Sequence, residues 1–282
     1  MRFSGQVPDN GRCQAKDRVR LKTEVLYGIH PVKEALAAGR REIFEVCLAT
    51  GKGSPRGDAL RQAAESRGVS VREVLPAQLT SMAGTESHQG VAARVSAFAC
   101  EDLADVWLPA GRTGPELLLA LDSIQDPHNL GALLRTALCA GVQAVIVPKD
   151  RSAPPTPAVS RVSAGALEHT RLVQVTNLVR SLELVKERGP WVAGLEREAR
   201  ATVFSTDWTM PLVLVVGGEG KGMRPLVTKT CDLLVSIPQA GPLDSLNASV
   251  AAAVTLYEIF RQRQAADRQR LKGDRPDGRG LQ

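Results

Sequence analysis

Apolar and polar positions alternate along the chain in a pattern that predicts two successive α/β units. The first unit covers residues 25–98 and ends before a stretch that breaks the periodicity. Gly39 and Gly68 follow its two helical patterns, where glycine commonly ends a helix because it adopts a left-handed backbone without strain. Its predicted elements are helices over 30–38 and 57–67 and extended segments over 43–49, 69–74 and 90–98.

The second unit begins near residue 116 and has the stronger alternation. Leu117 to Leu121 is a continuous apolar run, which is typical of a strand buried on both faces of a sheet. A polar loop, a helical pattern over about 130–140 and the apolar segment 144–148 follow, and this order predicts a right-handed βαβ unit. We therefore expect an α/β fold with a parallel sheet. Further extended segments are predicted over 172–175, 191–195, 212–216 and 233–237, and a long apolar-faced helix over 246–263.

The composition of the remaining segments predicts a linker and two arms. Residues 99–115 contain two prolines and two glycines and are expected to join the two units. The ends, 1–24 and 265–282, are basic and poor in aromatic residues, so we expect disordered arms there. The first domain is accordingly placed at 25–98 and the second at 116–264.

Composition and hydropathy also bound the class of protein. Apolar residues make up 43% of the 282 residues, enough for each unit to bury its own core. No apolar run approaches the roughly 20 residues that a membrane-spanning helix needs, and the N-terminus lacks an apolar signal segment. We therefore expect a cytoplasmic protein that does not contact a membrane.

The net charge of +6 is concentrated at the two ends of the chain. Residues 1–24 carry six basic and three acidic side chains, residues 261–282 carry seven and three, and the part between them has a net charge of −1. Two interpretations of the basic ends stay open. They serve solubility, or they attract a polyanion such as RNA in a salt-dependent way.

The cysteine and histidine residues suggest neither a metal site nor nucleophilic catalysis. The five cysteines are scattered, with no Cys-x-x-Cys pair and no Cys/His cluster of zinc-ligand spacing. His30, His88 and His169 lie near no Ser/Asp or Cys pattern suited to a nucleophile. We expect no bound metal and a structural role for these side chains.

The glycine-rich segment VVGGEGKGM, residues 215–223, follows an apolar run as a phosphate-binding loop would. It departs from the Walker pattern because Gly222 stands at the hydroxyl position and Val215 at the first glycine. It also departs from the dinucleotide pattern G-x-G-x-x-G, because Met223 stands where the last glycine would fall. A strand-to-helix turn without phosphate is the simpler interpretation.

Polar residues follow three predicted strands of the second unit, in segments 122–129, 217–222 and 237–247. In an open parallel sheet such strand ends meet at one edge, which is where ligands bind. Asn129, Ser245 and Asn247 also suit a helix N-cap, an alternative that the sequence leaves open. Arg135 lies on or beside the apolar face of its predicted helix, and a buried guanidinium would need a partner.

Together these segments resemble the three motifs of the SpoU/TrmH class of RNA 2′-O-ribose methyltransferases. The matching stretches are DPHNLGALLRTA, VVGGEGKGMR and IPQAGPLDSLNASVA, in the same order and spacing. YGIHPVKEAL at 27–36 and HQGVAARV at 88–95 are similar to the L30e-like RNA-binding domain of the branch that methylates guanosines of 23S rRNA, and AVIVPKDRSA at 144–153 is similar too. The resemblance spans about 25–263.

The resemblance implies a fold, a partner and a cofactor. The C-terminal domain would be a trefoil-knotted parallel α/β methyltransferase domain, preceded by a small L30e-like α/β RNA-binding domain. The protein would be a homodimer with its active site near the subunit interface. The glycine-rich loop and the third segment would enclose S-adenosylmethionine rather than phosphate, with Gly217, Ile237 and Leu246 as contacts, since glycine lets the main chain approach a ligand closely.

The resemblance also implies a catalytic set of Asn129, Arg135, Glu219, Ser245 and Asn247. Arginine is a poor general base because its pKa exceeds about 12. We therefore favour a role in which Arg135 binds the substrate phosphate and hydrogen-bonds the developing alkoxide. Glu219 would orient Arg135 or nearby amides, and Ser245 and Asn247 would position ribose or methionine groups.

The first domain would deliver the RNA. Its few aromatic residues favour recognition by shape or by arginine stacking. Candidate phosphate contacts are Arg40, Arg41, Lys52 and Arg56, with a merely solvated surface as the alternative.

The sequence thus predicts an enzyme that methylates the ribose of a guanosine in the peptidyl-transferase region of 23S rRNA. Two alternatives stay open: the same chemistry on tRNA or another rRNA nucleotide, and a non-catalytic RNA-binding or assembly protein.

Overall fold

The structure is a computed structural model that describes residues 22–51, 55–107, 116–242 and 245–273. Part of each predicted arm and linker falls outside this range, namely residues 1–21, 108–115 and 274–282, as does Lys52. The described part forms two lobes, each built on its own sheet. We call residues 22–98 the N-terminal lobe and the residues from 116 onward the C-terminal lobe.

The N-terminal lobe is a four-stranded mixed sheet with three helices. Its strand order is β1-β4-β2-β3, with β4 antiparallel to β1 and β2, and β2 parallel to β3. The elements are β1 (Thr23–Tyr27), α1 (Ile29–Ala38), β2 (Ile43–Ala49), α2 (Pro55–Glu65), β3 (Val71–Val74), α3 (Pro76–Ala83) and β4 (Val91–Ser96).

The C-terminal lobe is a seven-stranded sheet in which every paired strand is parallel to its neighbour. The strand order β7-β6-β5-β10-β8-β11-β9 confirms the predicted parallel α/β fold. A short 3₁₀ helix (Leu103–Trp107) precedes it. The elements are β5 (Leu117–Asp122), α4 (Pro127–Cys139), β6 (Ala144–Pro148), α5 (Pro157–Val162), α6 (Ala166–His169), β7 (Leu172–Val175), α7 (Leu178–Lys186), β8 (Trp191–Leu195), β9 (Ala201–Thr202), β10 (Leu212–Gly217), α8 (Pro225–Thr230), β11 (Leu233–Ser236) and α9 (Ala248–Gly273).

Helices cover both faces of the C-terminal sheet, which explains the continuous apolar strands. All residues of β5 and β10 are buried. Leu119 and Leu121 of β5 pack with α4 and α9 on one face, whereas Leu118 and Ala120 pack with α7 on the other. Each strand therefore contributes side chains to two cores, as expected of a buried parallel strand.

The two lobes are joined by ion pairs that the sequence did not predict. Arg41 is buried, and its Nε lies 2.8 Å from Oε2 of Glu168 in the C-terminal lobe, while its Nη1 donates to Glu24 over 2.7 Å. The guanidinium also lies 5.0 Å from the ring centre of Phe98. Burial raises the pKa of Glu168, an effect that the charge of Arg41 opposes.

A second connection runs through Glu101, between the lobes. This carboxylate pairs with Arg40 of the N-terminal lobe and accepts a 2.8 Å hydrogen bond from Arg171 of the C-terminal lobe. Burial acts to raise the pKa of Glu101, but the two arginines outweigh it and hold the pKa below its ordinary value. The expectation that Arg41 contacts RNA phosphate is wrong, because this buried guanidinium already pairs with Glu24 and Glu168. Arg40 is exposed, and its contact with phosphate stays a prediction.

Several elements extend beyond their predicted limits. β1 begins at Thr23, inside the predicted N-terminal arm, and α9 continues to Gly273, past the predicted domain end at 264. None of the helices in the described ranges has the length and apolar content needed to cross a membrane.

Candidate active site

The candidate site lies at the carboxyl edge of the C-terminal sheet, where the strand order reverses. β5 pairs with β6 on one side and with β10 on the other, and the chain passes from β5 to β6 and β7 before it crosses to β8 and β10. Loops that leave the sheet in opposite directions at such a point open a crevice between them, which is where ligands bind in open α/β sheets.

Asn129 is placed in this crevice by the first turn of α4. Asp126 is the N-cap of the helix, because its carboxylate accepts hydrogen bonds from the backbone N–H groups of His128, at 3.0 Å, and Asn129, at 3.3 Å. Pro127 follows at the first helical position, where its missing N–H costs nothing. The suggestion that Asn129 caps the helix is therefore wrong, and its side chain is available for other contacts.

Three side chains from the three predicted loops form one hydrogen-bonded cluster. Nδ2 of Asn129 donates to Oε1 of Glu219 over 3.0 Å, and Nδ2 of Asn247 donates to Oδ1 of Asn129 over 3.0 Å. Nδ2 of Asn247 also donates to Oε1 of Glu219. We call Asn129, Glu219 and Asn247 the polar cluster. Its formation confirms that the three loops meet.

Asn247 has a second role, because it begins α9. Its Oδ1 accepts hydrogen bonds from the backbone N–H groups of Ser249, at 2.9 Å, and Val250, at 3.3 Å, and from the hydroxyl of Ser249 at 2.6 Å. One amide therefore caps the helix through its oxygen and joins the polar cluster through its nitrogen. Ser245 is exposed and makes no hydrogen bond to any described residue.

Glu219 is held by a tight glycine turn at the end of β10. A Cβ atom on Gly217 would lie 2.2 Å from the carbonyl carbon of Gly222, and one on Gly218 would lie 2.4 Å from the carbonyl oxygen of Ser123. No other residue fits at either position without a backbone shift. The glycines therefore serve the packing of this loop against itself and against the loop after β5.

Asp122 and Arg224 close the glycine turn against β5, a contact that the sequence analysis missed. Asp122 is fully buried, and its carboxylate accepts 2.7 Å hydrogen bonds from the backbone N–H and from Nε of Arg224. The sequence does carry a signal for this contact. Asp122 ends an apolar strand, and Arg224 directly follows the glycine-rich segment.

Arg135 does not have the burial that its sequence position suggested. It is exposed, and it has no hydrogen bond or ion pair with a described residue. One turn earlier, Gly131 is buried against Val162 of α5, but Leu138, one turn later, is exposed. Leu134 and Ala137 remain buried on the core face of α4, so Arg135 lies on the face of the helix that packing leaves exposed, six residues beyond Asn129.

The expected cofactor contacts lie on the β10–β11 side of the polar cluster. Ile237 packs partly against the core and Leu246 is 40% exposed. The described residues of the loop between them, 237–242 and 245–246, make no backbone hydrogen bond to another described residue. Unpaired main-chain donors and acceptors beside partly exposed apolar side chains fit the edge and the faces of an adenine ring.

Comparison with known proteins gives a consistent result over most of the chain. Residues 116–257 match the family model described as SpoU rRNA Methylase family, and residues 25–99 match RNA 2′-O ribose methyltransferase substrate binding. The chain is 44% identical to the 23S rRNA (guanosine-2′-O-)-methyltransferase RlmB of Ralstonia nicotianae, over 86% of this chain and 97% of that protein. It is 46% identical to the RlmB of Pseudomonas aeruginosa, over 85% and 97%.

A solved structure extends this likeness. The SpoU methyltransferase AviRb from Streptomyces viridochromogenes, in complex with the cofactor AdoMet, superposes with a TM-score of 0.73 at 25% sequence identity. The match covers 90% of this chain and 95% of that one.

Proposed function

Because the chain belongs to the SpoU rRNA methylase family, we propose that it is an enzyme that methylates a ribose 2′-hydroxyl of 23S rRNA with S-adenosylmethionine. The methylated nucleotide is a guanosine, as the names of the Ralstonia and Pseudomonas relatives state for those proteins. We place it in the peptidyl-transferase region and the reaction in the cytoplasm.

The observation that carries this proposal is the polar cluster at the point where the strand order reverses. A ribose hydroxyl is a weak nucleophile until its proton is removed, so the site must orient it and stabilise negative charge on its oxygen. Asn129 and Asn247 supply amide groups in fixed positions, and Glu219 supplies a carboxylate whose orientation both amides set. S-adenosylmethionine supplies a methyl group on a sulfonium sulfur.

Gly217, Ile237 and Leu246 hold the adenosine of the cofactor in this proposal. The unpaired backbone of residues 237–242 and 245–246, among the described residues, supports this assignment together with the partly exposed Leu246. Ser245, exposed between this loop and Asn247, positions the ribose or methionine part.

Arg135 acts on the substrate rather than as a base. A guanidinium stays protonated at physiological pH, and exposure without a partner leaves this one available to a phosphate oxygen. It binds that phosphate and stabilises the developing alkoxide, while the hydroxyl proton leaves through phosphate or water.

A second copy of the chain completes the assembly. α4 and α9 pack against each other, and Leu138, Val250 and Tyr257 leave apolar side chains exposed on the two helices. Tyr257 and Val250 are 51% and 47% exposed and lie seven residues apart on α9, so they share one face of the helix, and exposed apolar side chains grouped on one surface mark interaction sites. A homodimer formed through this α4–α9 surface buries them and brings the interface close to Arg135.

Methylation of defined RNA tests the proposal. The protein is incubated with S-adenosylmethionine and either an unmodified 23S rRNA transcript or a tRNA pool, and 2′-O-methylated positions are mapped. Methylation of one guanosine of 23S rRNA is expected. If only tRNA is methylated, the substrate is a tRNA and not 23S rRNA. If calorimetry detects no binding of S-adenosylmethionine at millimolar concentration, the protein is a non-catalytic RNA-binding protein.

A further inference from the structure

A basic cleft borders the polar cluster and is lined in part by the glycine-rich loop. It encloses about 610 Å³ between the loops that follow β5, β6 and β10. Its lining includes Ser123, Gln125, Arg151, Glu219, Lys221 and Arg224.

Two cationic side chains of the cleft have no counter-ion among the described residues. Arg224 is paired with the buried Asp122, and Glu219 is hydrogen-bonded within the polar cluster. Arg151 and Lys221 are exposed, and neither makes a hydrogen bond or ion pair with a residue that the structure describes. The cleft therefore presents net positive charge to a ligand.

The backbone of the cleft is strained and fixed. Ser123 and Arg151 have φ of 64° and 62°, left-handed values that are uncommon for residues with a side chain. The backbone N–H of Ala153 donates to the carbonyl of Ile124 over 2.8 Å, which ties the two loops together. Such strain persists where the surrounding structure holds it, and it clusters at ligand sites.

Two of the three loops that line the cleft follow β5 and β6, whereas the expected cofactor contacts Ile237 and Leu246 follow β11. β5 and β6 lie on one side of β10, whereas β8 and β11 lie on the other. Glu219 lines the cleft and also belongs to the polar cluster, so a ligand in the cleft adjoins the atoms expected to act on the ribose.

We propose that this cleft binds phosphodiester groups that flank the target ribose, with Arg151 and Lys221 as the phosphate contacts. The inference rests on the proposed function. Arginine can bind two phosphate oxygens at once, and lysine acts as a point charge. The pair therefore suits the sugar-phosphate backbone of RNA, whatever its base sequence. Their task is to hold the strand so that its 2′-oxygen lies at the polar cluster.

Charge-neutralising variants test the cleft. The cleft variants are Arg151→Gln, Lys221→Gln and the double variant. The control is Lys229→Gln, which removes an exposed lysine near the end of α8. At this point the chain has turned back towards the amino ends of the strands, away from the cleft. RNA affinity is measured from low to high salt on two probes, a transcript of the 23S rRNA peptidyl-transferase region and an unrelated hairpin of equal length. Affinity for S-adenosylmethionine and the melting temperature are recorded for each variant.

Each single cleft variant should bind both RNAs roughly tenfold more weakly, because one charge-assisted contact is lost, and the double variant roughly a hundredfold more weakly. The slope of log Kd against log salt should fall by roughly 0.7–0.9 for each contact removed. Affinity for S-adenosylmethionine should not change, and Lys229→Gln should match the wild type.

Three results would overturn the inference: unchanged RNA affinity and salt slope in the double variant, equal losses in Lys229→Gln, or a loss confined to the 23S probe, which would indicate base recognition. If Arg151→Gln fails to fold, Lys221→Gln alone carries the comparison. Wild-type methylation of the 23S probe is assayed in parallel. If the wild type methylates the 23S probe and the cleft variants bind RNA as the wild type does, the proposed function holds but the cleft is not a phosphate site.

Discussion

The amide nitrogen of Asn129 lies 3.0 Å from Oε1 of Glu219, although 90 residues separate the two along the chain. Asn247 donates to the same carboxylate oxygen. Oε1 is thus held by two amides, whereas Oε2 makes no hydrogen bond to a described residue and can accept one from a ligand. This relationship between the loops after β5, β10 and β11 is what the proposed chemistry requires.

Replacing Asn129 by Asp should damage the site more than replacing it by Ala. Asp removes the donor and puts a second carboxylate about 3 Å from Glu219, where like charges repel. We expect methyl transfer to fall by roughly 10²-fold or more in Asn129→Asp, with a lower melting temperature. His128→Ala, which changes an exposed neighbour, is the control and should behave as wild type in kcat and Tm. Full activity in Asn129→Asp would contradict the assigned role.

The two roles of Asn247 can be separated by its replacements. Ser keeps an oxygen that can cap α9 and adds no charge beside Glu219, but it loses the nitrogen that bonds Asn129 and Glu219, whereas Ala loses both. Both variants should lose activity, but only Asn247→Ala should also lose about 1 kcal/mol of stability. Denaturant unfolding and single-turnover methylation check this, and equal stability losses in the two variants would show that the cap does not matter.

Arg135→Ala should separate catalysis from folding. The side chain is exposed and unpaired among the described residues, so its removal should leave the melting temperature and S-adenosylmethionine affinity unchanged. Methyl transfer should fall by roughly 10²–10³-fold, as when a preorganised donor is removed. Arg135→Lys should recover part of the rate, since it keeps the charge but loses the two-pronged geometry. A fully active Arg135→Ala would refute the role.

Arg41 should matter for stability rather than for RNA binding. Arg41→Ala leaves the carboxylate of Glu168 buried without its partner, which costs about 3–5 kcal/mol. The double variant Arg41→Met/Glu168→Gln should lose less, because no buried charge is left unpaired. Arg56→Ala, at an exposed position of the same lobe, should not change the free energy of unfolding. A stable Arg41→Ala protein with weakened RNA binding would restore the original expectation.

Tyr257→Glu should dissociate the proposed dimer. The change puts a charge into the exposed apolar α4–α9 surface, where burial against a second copy would leave it without water. Light scattering should then report a monomer, whereas Glu183→Gln, a change on α7 at the opposite face of the sheet, should leave the dimer intact. A wild-type monomer at micromolar concentration would contradict the homodimer.

Much of the C-terminal lobe was predictable because its strands are buried on both faces. The structure has strands at Leu172–Val175 and Trp191–Leu195, with the limits that the apolar runs indicated. The convergence of the three loops was also predictable, because the carboxyl ends of parallel strands share an edge. By contrast, β1 has only one fully buried residue and α3 has eight residues with a single buried one, so neither gave a clear periodic signal.

The errors concern side chains whose surroundings come from distant segments. Arg135 follows apolar positions along α4, yet it lies on the face of that helix that packing leaves exposed. Arg41 reads as a surface charge, yet Glu168, from the other lobe, covers it. Periodicity describes one element at a time and does not identify what packs against it. The trefoil knot stays a prediction of the family resemblance.

The central claim is that the polar cluster directs a methyl group from S-adenosylmethionine to a ribose oxygen of 23S rRNA. The most direct test is mass spectrometry of nuclease fragments of an unmodified 23S rRNA transcript after incubation with the protein and the cofactor. The account predicts a single 2′-O-methylguanosine that is absent with Asn129→Asp. A methyl group on a base, no methylation, or the same product with Asn129→Asp would contradict it.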